Sequence, residues 1–170
     1  MTAKQSAGLV LYRRGDTNAI ELLLVHPGGP FWAGKDEHSW SIPKGEYDKG
    51  EDPEDTARRE FCEELGSQPP PGPWIDLGEL QQPSGKLIHA WAVEGALDAA
   101  RAVSNTFELE WPRGSGIVCE YPEIDRAAWF DLAAARYKLH KGQVPFIDAL
   151  ASSLEEQGIA GGEDLGSPPG

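Results

Sequence analysis

Residues 45–67 read GEYDKGEDPEDTARREFCEELGS, and the second half of this stretch predicts a helix over residues 53–65. Asp52 can cap the free N–H groups of the first turn, Pro53 suits the first helical position, and Gly66 provides a stop. The predicted helix has one apolar edge for the core, formed by residues that recur every four positions: Ala57, Phe61 and Leu65.

Three glutamates share another face of this predicted helix. At 100° per residue, spacings of three and four place Glu60, Glu63 and Glu64 within an arc of about 100°. Residues 46–64 contain nine acidic and three basic residues, so the local charge is strongly negative. Such a face is either solvated or neutralised by a cation, and Mg²⁺ is a cation that prefers carboxylate and carbonyl oxygens.

The residues around the acidic face also suit a phosphate site. Gly45 has no side chain, so its backbone can approach a ligand closely and could add a carbonyl oxygen. Lys44 and Arg59 are cations placed to meet a phosphate or to brace the carboxylates. The pattern therefore indicates a metal and phosphate site at the junction of loop and helix.

Gly45, Glu51 and the run 59–66 together resemble the Nudix box, Gly-x5-Glu-x7-Arg-Glu-U-x-Glu-Glu-x-Gly-U, in which U is a bulky apolar residue. Every charged and glycine position of that box is present, and Ser67 departs from it where the family has an apolar residue. The resemblance implies a Nudix-type α/β/α sandwich. It also implies hydrolysis of a nucleoside diphosphate linked to another group X, with Mg²⁺ or Mn²⁺ as the cofactor.

The resemblance further implies roles for individual residues. Arg59 would pair with Glu51 and support the loop and helix. Glu60 is a candidate for the base that deprotonates water. In several family members the base comes from a later loop instead, where Glu120 and Glu123 are available. Glu123 is our candidate, and the alternative is that it is a plain loop carboxylate. The predicted catalytic group is Glu60, Arg59 and Glu123. The predicted metal ligands are the Gly45 carbonyl and the carboxylates of Glu60, Glu63 and Glu64.

Aromatic residues offer candidate stacking partners for a purine, although core packing is the alternative for each of them. The four candidates are Trp32, Trp40, Tyr121 and Trp129. With Lys44, we expect Trp40 and Tyr121 to form the substrate-binding group.

The substrate class is left open between three alternatives. The segments 26–29 (HPGG) and 40–45 (WSIPKG) are similar to those of the branches of the family that act on dinucleoside polyphosphates and nucleoside triphosphates. Pro83, sixteen positions beyond Ser67, favours an ADP-ribose or ADP-sugar pyrophosphatase instead. A third alternative is a non-catalytic Nudix-fold nucleotide sensor, which has no chemical need for all three clustered glutamates.

Composition limits the partners and the compartment. The 170 residues carry a formal net charge of −13 and amount to about one domain. This charge repels phosphates and anionic lipids, so we expect a small nucleotide as the partner and neither a nucleic acid polymer nor a membrane. The two cysteines form no recognisable framework and no leader is evident, which predicts a cytoplasmic protein. Composition does not indicate the oligomeric state.

Apolar runs and turn residues elsewhere predict an α+β fold with a small mixed sheet. We expect a Nudix domain over residues 1–157 and a disordered, acidic Gly/Pro tail over residues 158–170. The predicted strands are 7–13, 20–26, 39–42, 74–80, 86–93, 106–111 and 127–130. Besides 53–65, the predicted helical segments are 97–103 and 141–154.

Overall fold

A computed structural model describes residues 4–165 of the chain. The elements, in chain order, are β1 (Gln5–Arg14), β2 (Ile20–Pro27), β3 (Lys44–Tyr47), α1 (Pro53–Leu65), β4 (Ile75–Gln81), β5 (Leu87–Glu94), β6 (Thr106–Glu110), β7 (Val118–Pro122), β8 (Ile124–Asp131), α2 (Leu132–Lys138) and α3 (Pro145–Leu165). Short 3₁₀ turns lie at Ala99–Arg101 and Lys141–Gln143.

A mixed sheet organises the molecule in the order β4-β5-β1-β2-β8, and β3 pairs with β1 beside this path. The β1–β5 pair is parallel and the other pairs are antiparallel. Strand β1 is almost entirely buried because cores lie on both of its faces. One core contains α1, and the other contains residues of α2 and α3. This arrangement confirms the predicted α+β sandwich with a mixed sheet.

Helix α1 forms for the local reasons that the sequence contains. The Asp52 side chain accepts a hydrogen bond of 3.1 Å from the Glu54 N–H at the N-terminus. Gly66 ends the helix in the left-handed conformation with φ of 74°, which glycine adopts without a steric cost. The predicted apolar edge of α1 is buried and packs under the sheet, mainly against β1.

The predicted strand at 39–42 is wrong. This segment makes only isolated bridges, and the strand lies further along the chain, at β3, where it pairs with residues 5–8 of β1. The backbone of this segment bonds to separate partners instead: Ser41 exchanges two hydrogen bonds with Val25, and the Ile42 N–H donates to Gln143 Oε1 at 3.0 Å. Gln143 lies about a hundred residues further along the chain, so no local sequence pattern predicts this partner.

The C-terminal third also differs from the prediction. The expected loop after residue 111 contains β7, which pairs with β6 as a separate two-stranded sheet. Helix α2 was not predicted. The expected helix at 141–154 begins as a 3₁₀ turn, and α3 then includes 158–165, part of the segment expected to be disordered. Residues 166–170 lie outside the described residues.

None of the helices in the described part of the chain is both long enough and apolar enough to cross a bilayer.

Candidate active site

The acidic face of α1, formed by Glu60, Glu63 and Glu64, is partly buried. The side chains of Glu60 and Glu63 are 16% and 37% exposed, respectively. Glu64 lies deeper: its Oε1 atom is buried and has no hydrogen-bond partner in the structure. A buried acceptor without a partner costs about 1–3 kcal/mol, so this oxygen is available to a ligand that would satisfy it.

Gly45 lies directly against Glu60. A Cβ atom built at Gly45 would be 1.6 Å from Glu60 Oε1, so any larger residue there would displace the Glu60 carboxylate. Gly45 belongs to β3 and pairs with Ala7 of β1, so the strand holds the glycine in place under the carboxylate. Glycine therefore allows the Glu60 carboxylate to approach the backbone closely, which agrees with the reason that the sequence suggested.

Arg59 and Glu51 join α1 to the loop that precedes it. Arg59 Nη1 donates to Glu51 Oε2 at 3.1 Å, and the Asp48 N–H donates to Glu51 Oε1 at 2.9 Å. The structure thus contains the expected pair. Arg59 Nε also lies 3.9 Å from Glu60 Oε2 and 3.8 Å from Glu63 Oε1, so the guanidinium braces the edge of the acidic face.

Burial and mutual repulsion change the acidity of two of these glutamates. Burial, and next the neighbouring Glu63 carboxylate, raise the pKa of Glu60 to about 8. Burial also raises the pKa of Glu64 to about 8. The nearby Lys44 charge and the Lys44 N–H lower this pKa, but they offset the effect of burial only in part. Bringing these carboxylates together in ionised form is unfavourable without an added cation.

Glu123 lies close to this cluster although it is about sixty residues further along the chain. It precedes β8, and burial followed by the charge of Glu63 raises its pKa. Its backbone is tied to α1 through Asn105: the Glu123 N–H donates to the Asn105 carbonyl, and the Asn105 N–H donates to the Glu63 carbonyl. The structure therefore brings the predicted later-loop carboxylate to the acidic face, whereas Glu120 is exposed on β7 opposite Glu108.

The predicted substrate-binding residues occupy three different settings. Lys44 lies close enough to Glu64 for its charge to lower the pKa of that carboxyl. Trp40 is only 3% exposed and packs edge-on against Phe130 in the core, so little of its ring is free for stacking. Tyr121 lies on β7, with its ring centroid 6.0 Å from that of Phe107. Their action as one substrate-binding group stays a prediction.

A comparison with known proteins identifies the family. The family model described as NUDIX domain matches residues 2–150, which is most of the chain. This chain belongs to the Nudix family.

Relatives and solved structures agree with this assignment. An RNA pyrophosphohydrolase of Caulobacter vibrioides (strain NA1000 / CB15N) is 40% identical over 52 residues, covering 28% of this chain and 30% of that protein. The chain therefore aligns with only about a third of the length of this curated relative.

Two solved Nudix structures share the fold over nearly the whole chain. The NUDIX domain of Shewanella oneidensis NrtR, complexed with ADP ribose, has a TM-score of 0.61 at 16% identity and covers 91% of this chain and 90% of that one. A C. elegans Ap4A hydrolase binary complex has a TM-score of 0.60 at 21% identity, covering 91% and 99%, respectively. At these identities the likeness establishes the fold alone.

Nudix hydrolases generally use divalent metal ions, and the acidic face of α1 has the chemistry to hold one. Its donors are hard oxygen atoms, one of which is buried without a partner. Among the side chains of residues 4–157, no three acidic, histidine or cysteine groups are already arranged as a metal-binding group. Glu60 and Glu63 both lie within 4 Å of Arg59 Nε, so this guanidinium offsets part of their negative charge.

Sequence reasoning missed the residues that support this Nudix site from outside the box. Ser104 donates to the Ile124 carbonyl and accepts from the Ile124 N–H, which fixes the start of β8 beside Glu123. His26 is buried and bonds Asp125 at 2.8 Å and the Lys35 carbonyl at 2.6 Å. No local pattern predicts these contacts, because each one joins segments that are distant or irregular.

Proposed function

We propose that this chain is a divalent-metal-dependent pyrophosphohydrolase that cleaves a phosphoanhydride bond in a nucleoside diphosphate linked to X. The observation that carries this proposal is the buried, unpartnered Oε1 of Glu64 inside a carboxylate cluster on the Nudix helix. A cation bound there would satisfy that oxygen. It would also offset the burial, and after it the neighbouring carboxylate charges, that raise the pKa of Glu60 and Glu64.

The residues have distinct roles in this proposal. Mg²⁺ or Mn²⁺ would be held by the Gly45 carbonyl and by the carboxylates of Glu60, Glu63 and Glu64. When bound, the metal supplies charge neutralisation at the phosphates and lowers the pKa of a bound water. Arg59 positions Glu60 and Glu63 through its contacts with both and keeps α1 attached to the preceding loop. Lys44 adds positive charge on the side of Glu64.

Two carboxylates could accept the proton of the attacking water. Glu60 belongs to the ligand cluster, whereas Glu123 approaches it from β8 and is tied to α1 through the backbone of Asn105. Glu123→Gln separates these possibilities, because it removes the base and leaves all four proposed ligands in place. A fall in kcat of about 10²-fold with unchanged metal affinity supports Glu123 as the base, and near-normal kcat assigns that role to Glu60.

For the substrate, we favour a dinucleoside polyphosphate or a nucleoside triphosphate. The segments 26–29 and 40–45 support this choice, and the fold shared with a protein named Ap4A hydrolase is compatible with it. The runner-up is ADP-ribose or an ADP-sugar, supported by Pro83 and compatible with the NrtR domain that binds ADP ribose. The short match to RNA pyrophosphohydrolases adds the 5′ end of RNA as a candidate, although the net charge of −13 opposes polymer binding.

One experiment tests the proposal directly. The purified chain is incubated with Mg²⁺ and, in parallel, with Mn²⁺ and a panel of diadenosine tetraphosphate, nucleoside triphosphates, ADP-ribose, nucleotide sugars and 5′-triphosphorylated RNA. Product analysis identifies the bond that is cleaved, and calorimetry measures metal binding in the presence and absence of a nucleotide. Turnover that requires metal supports the proposal. Nucleotide binding without any turnover overturns it in favour of the sensor alternative.

A further inference from the structure

Three lysines surround a pocket of about 360 Å³ that lies outside the acidic face. They are Lys44 of β3, Lys86 just before β5, and Lys141 in the 3₁₀ turn before α3. None of the described residues that line this basic pocket is acidic. It therefore contrasts with a chain whose net charge is −13, and it attracts anions locally.

The basic pocket opens on the side of the sheet that α2 and α3 cover. Ile88, in its lining, belongs to the core that contains residues of these two helices. Lys44 acts on both regions: burial, and next the Lys44 charge, lower the pKa of His140 in the lining, and the same charge partly offsets the effect of burial on the pKa of Glu64. The basic pocket is therefore a neighbour of the acidic face, but none of the three glutamates lines it.

Hydrogen bonds between distant segments hold the walls of the basic pocket. Gln82 Nε2 donates to the Gly142 carbonyl at 3.0 Å, which joins the β4–β5 turn to the 3₁₀ turn. A Cβ atom built at Gly142 would be 2.3 Å from Gln82 Oε1, so glycine allows this close contact. Gln143 is buried and bonded to the Ile42 N–H. The basic pocket is thus formed without a ligand, which reduces the ordering cost of binding.

Two of the three ammonium groups are available to a ligand. Lys86 Nζ donates to Glu46 Oε2 at 2.8 Å, whereas Lys44 and Lys141 have no carboxylate within 4 Å among the side chains of residues 4–157. Ser6, which is only 4% exposed, adds a hydroxyl to the lining. Ammonium groups bind phosphate as point charges, and a hydroxyl can donate to its oxygens. These donors suit a phosphate better than a neutral group.

We propose that the basic pocket is a phosphate site separate from the acidic face. It has two possible sources of phosphate, which are a polyphosphate substrate, through a phosphate beyond the bond that is cleaved, and free phosphate. Only the first source rests on the proposed function. Lys86 and Lys141 are binding residues in both cases, and neither lies on the acidic face that would hold the metal.

Calorimetry with pyrophosphate and metal-free protein tests the site. The metal is removed on a chelating resin, because a soluble chelator is itself an anion. Without a cation the acidic face repels phosphates, so binding reports the basic pocket. We expect saturable binding to the wild type and about threefold weaker binding to Lys141→Gln, which removes one exposed ammonium group.

Two further variants sharpen this test. Ser84→Glu adds a carboxylate at an exposed position of the lining and should weaken pyrophosphate binding about tenfold. Lys49→Gln is the matched control, at an exposed lysine that does not line the basic pocket, and should bind pyrophosphate as the wild type does. Absence of binding to the wild type overturns the inference, as does an equal loss in Lys141→Gln and Lys49→Gln.

Kinetics with Mg²⁺ distinguish the two sources. If the substrate occupies the basic pocket, Lys141→Gln raises KM about threefold for diadenosine tetraphosphate or a nucleoside triphosphate and leaves KM for ADP-ribose unchanged, since ADP-ribose has no phosphate beyond its diphosphate. If free phosphate occupies it, every KM is unchanged and added orthophosphate alters turnover less in Lys141→Gln than in the wild type. Absence of turnover overturns the proposed hydrolase, whereas the metal-free affinities still decide whether the basic pocket binds phosphate.

Discussion

Two glutamates at opposite ends of α1, Glu51 just before the helix and Glu64 in its last turn, have opposite electrostatic environments. Before the helix, Glu51 accepts hydrogen bonds from the Asp48 N–H and from Arg59, and these two partners hold its pKa below the ordinary value. In the last turn, burial raises the pKa of Glu64, and its Oε1 has no partner. Glu51 is thus satisfied by the protein, whereas Glu64 is left for a ligand. The comparison separates carboxylates that stabilise the structure from those available for chemistry.

Glu64→Gln is expected to have the largest effect. The amide keeps the size of the side chain but loses the charge that binds a divalent cation, so turnover should fall at least about 10²-fold. The metal-free protein should melt at an unchanged or slightly higher temperature, because Gln is neutral at every pH whereas Glu64 must take up a proton, or be buried as a charge, when the chain folds. Steady-state kinetics and thermal melts measure the two effects.

Glu54→Gln is the matched control for Glu64→Gln. Glu54 is exposed in the first turn of the same helix, where the change should cost a few tenths of a kcal/mol through the helix dipole and leave turnover nearly intact. Similar mild effects of both substitutions on turnover would remove the distinction between the two ends of α1. They would favour the sensor alternative.

Gly45→Ala is expected to have the next largest effect. Its new Cβ atom would collide with Glu60 Oε1, so the carboxylate must move and turnover should fall about 10- to 100-fold. Shortening the partner in the double variant Gly45→Ala/Glu60→Asp relieves the collision. Kinetics should therefore show a combined loss smaller than the product of the two single losses, and simple multiplication would contradict the close packing of this pair.

Glu51→Gln tests the supporting end of the helix. It weakens the bond to Arg59 but removes no proposed ligand, so we expect turnover to fall about tenfold and the melting temperature to decrease. Calorimetry should show weaker metal binding, because Arg59 also braces Glu60 and Glu63. A loss as large as that of Glu64→Gln would mean that Glu51 itself contacts the metal or substrate.

The smallest predicted effect is a pH dependence of stability in the metal-free protein. Glu60 and Glu64 have a pKa of about 8 when folded and an ordinary value of 4.5. Between pH 5 and 8 the folded state therefore holds more protons than the unfolded state, and the free energy of unfolding decreases as pH rises. Denaturant melts in a chelator at several pH values measure this slope.

Two substitutions distinguish the source of that slope. Glu64→Gln should make it shallower, because one of the two raised groups is gone. Glu51→Gln should leave it unchanged above pH 5, since a carboxyl with a lowered pKa is ionised in both states throughout this range. Equal slopes in wild type and Glu64→Gln would contradict the buried setting of Glu64.

The N-terminal half of the site could be predicted because its determinants are close together in the chain. Asp52, Pro53 and Gly66 set the bounds of α1, and helical spacing alone places Glu60, Glu63 and Glu64 on one face. The requirement for glycine at position 45 and the pairing of Glu51 with Arg59 follow from the same motif. The metal itself stays a prediction from this motif.

The rest of the fold depends on contacts between distant residues. Residues 39–42 have the composition of a strand, but their backbone bonds to separate partners in Val25, Lys138 and Gln143, and β3 forms further on. The pattern after residue 111 contains glycines at 114 and 116 with positive φ, which allow the chain to turn back and form β7. A local pattern reports which conformation a segment favours and not which partner it finds.

By itself, the sequence determined the α+β class, the bounds of α1 and the shared face of the three glutamates, because these features depend on backbone preferences and spacing within about twenty residues. Only the tertiary structure decided that Glu123 reaches this face, that Trp40 is buried and that lysines from three distant segments line the basic pocket. Burial, and with it the raised pKa of Glu64, arises from packing against other elements. Packing of this kind depends on the whole chain at once.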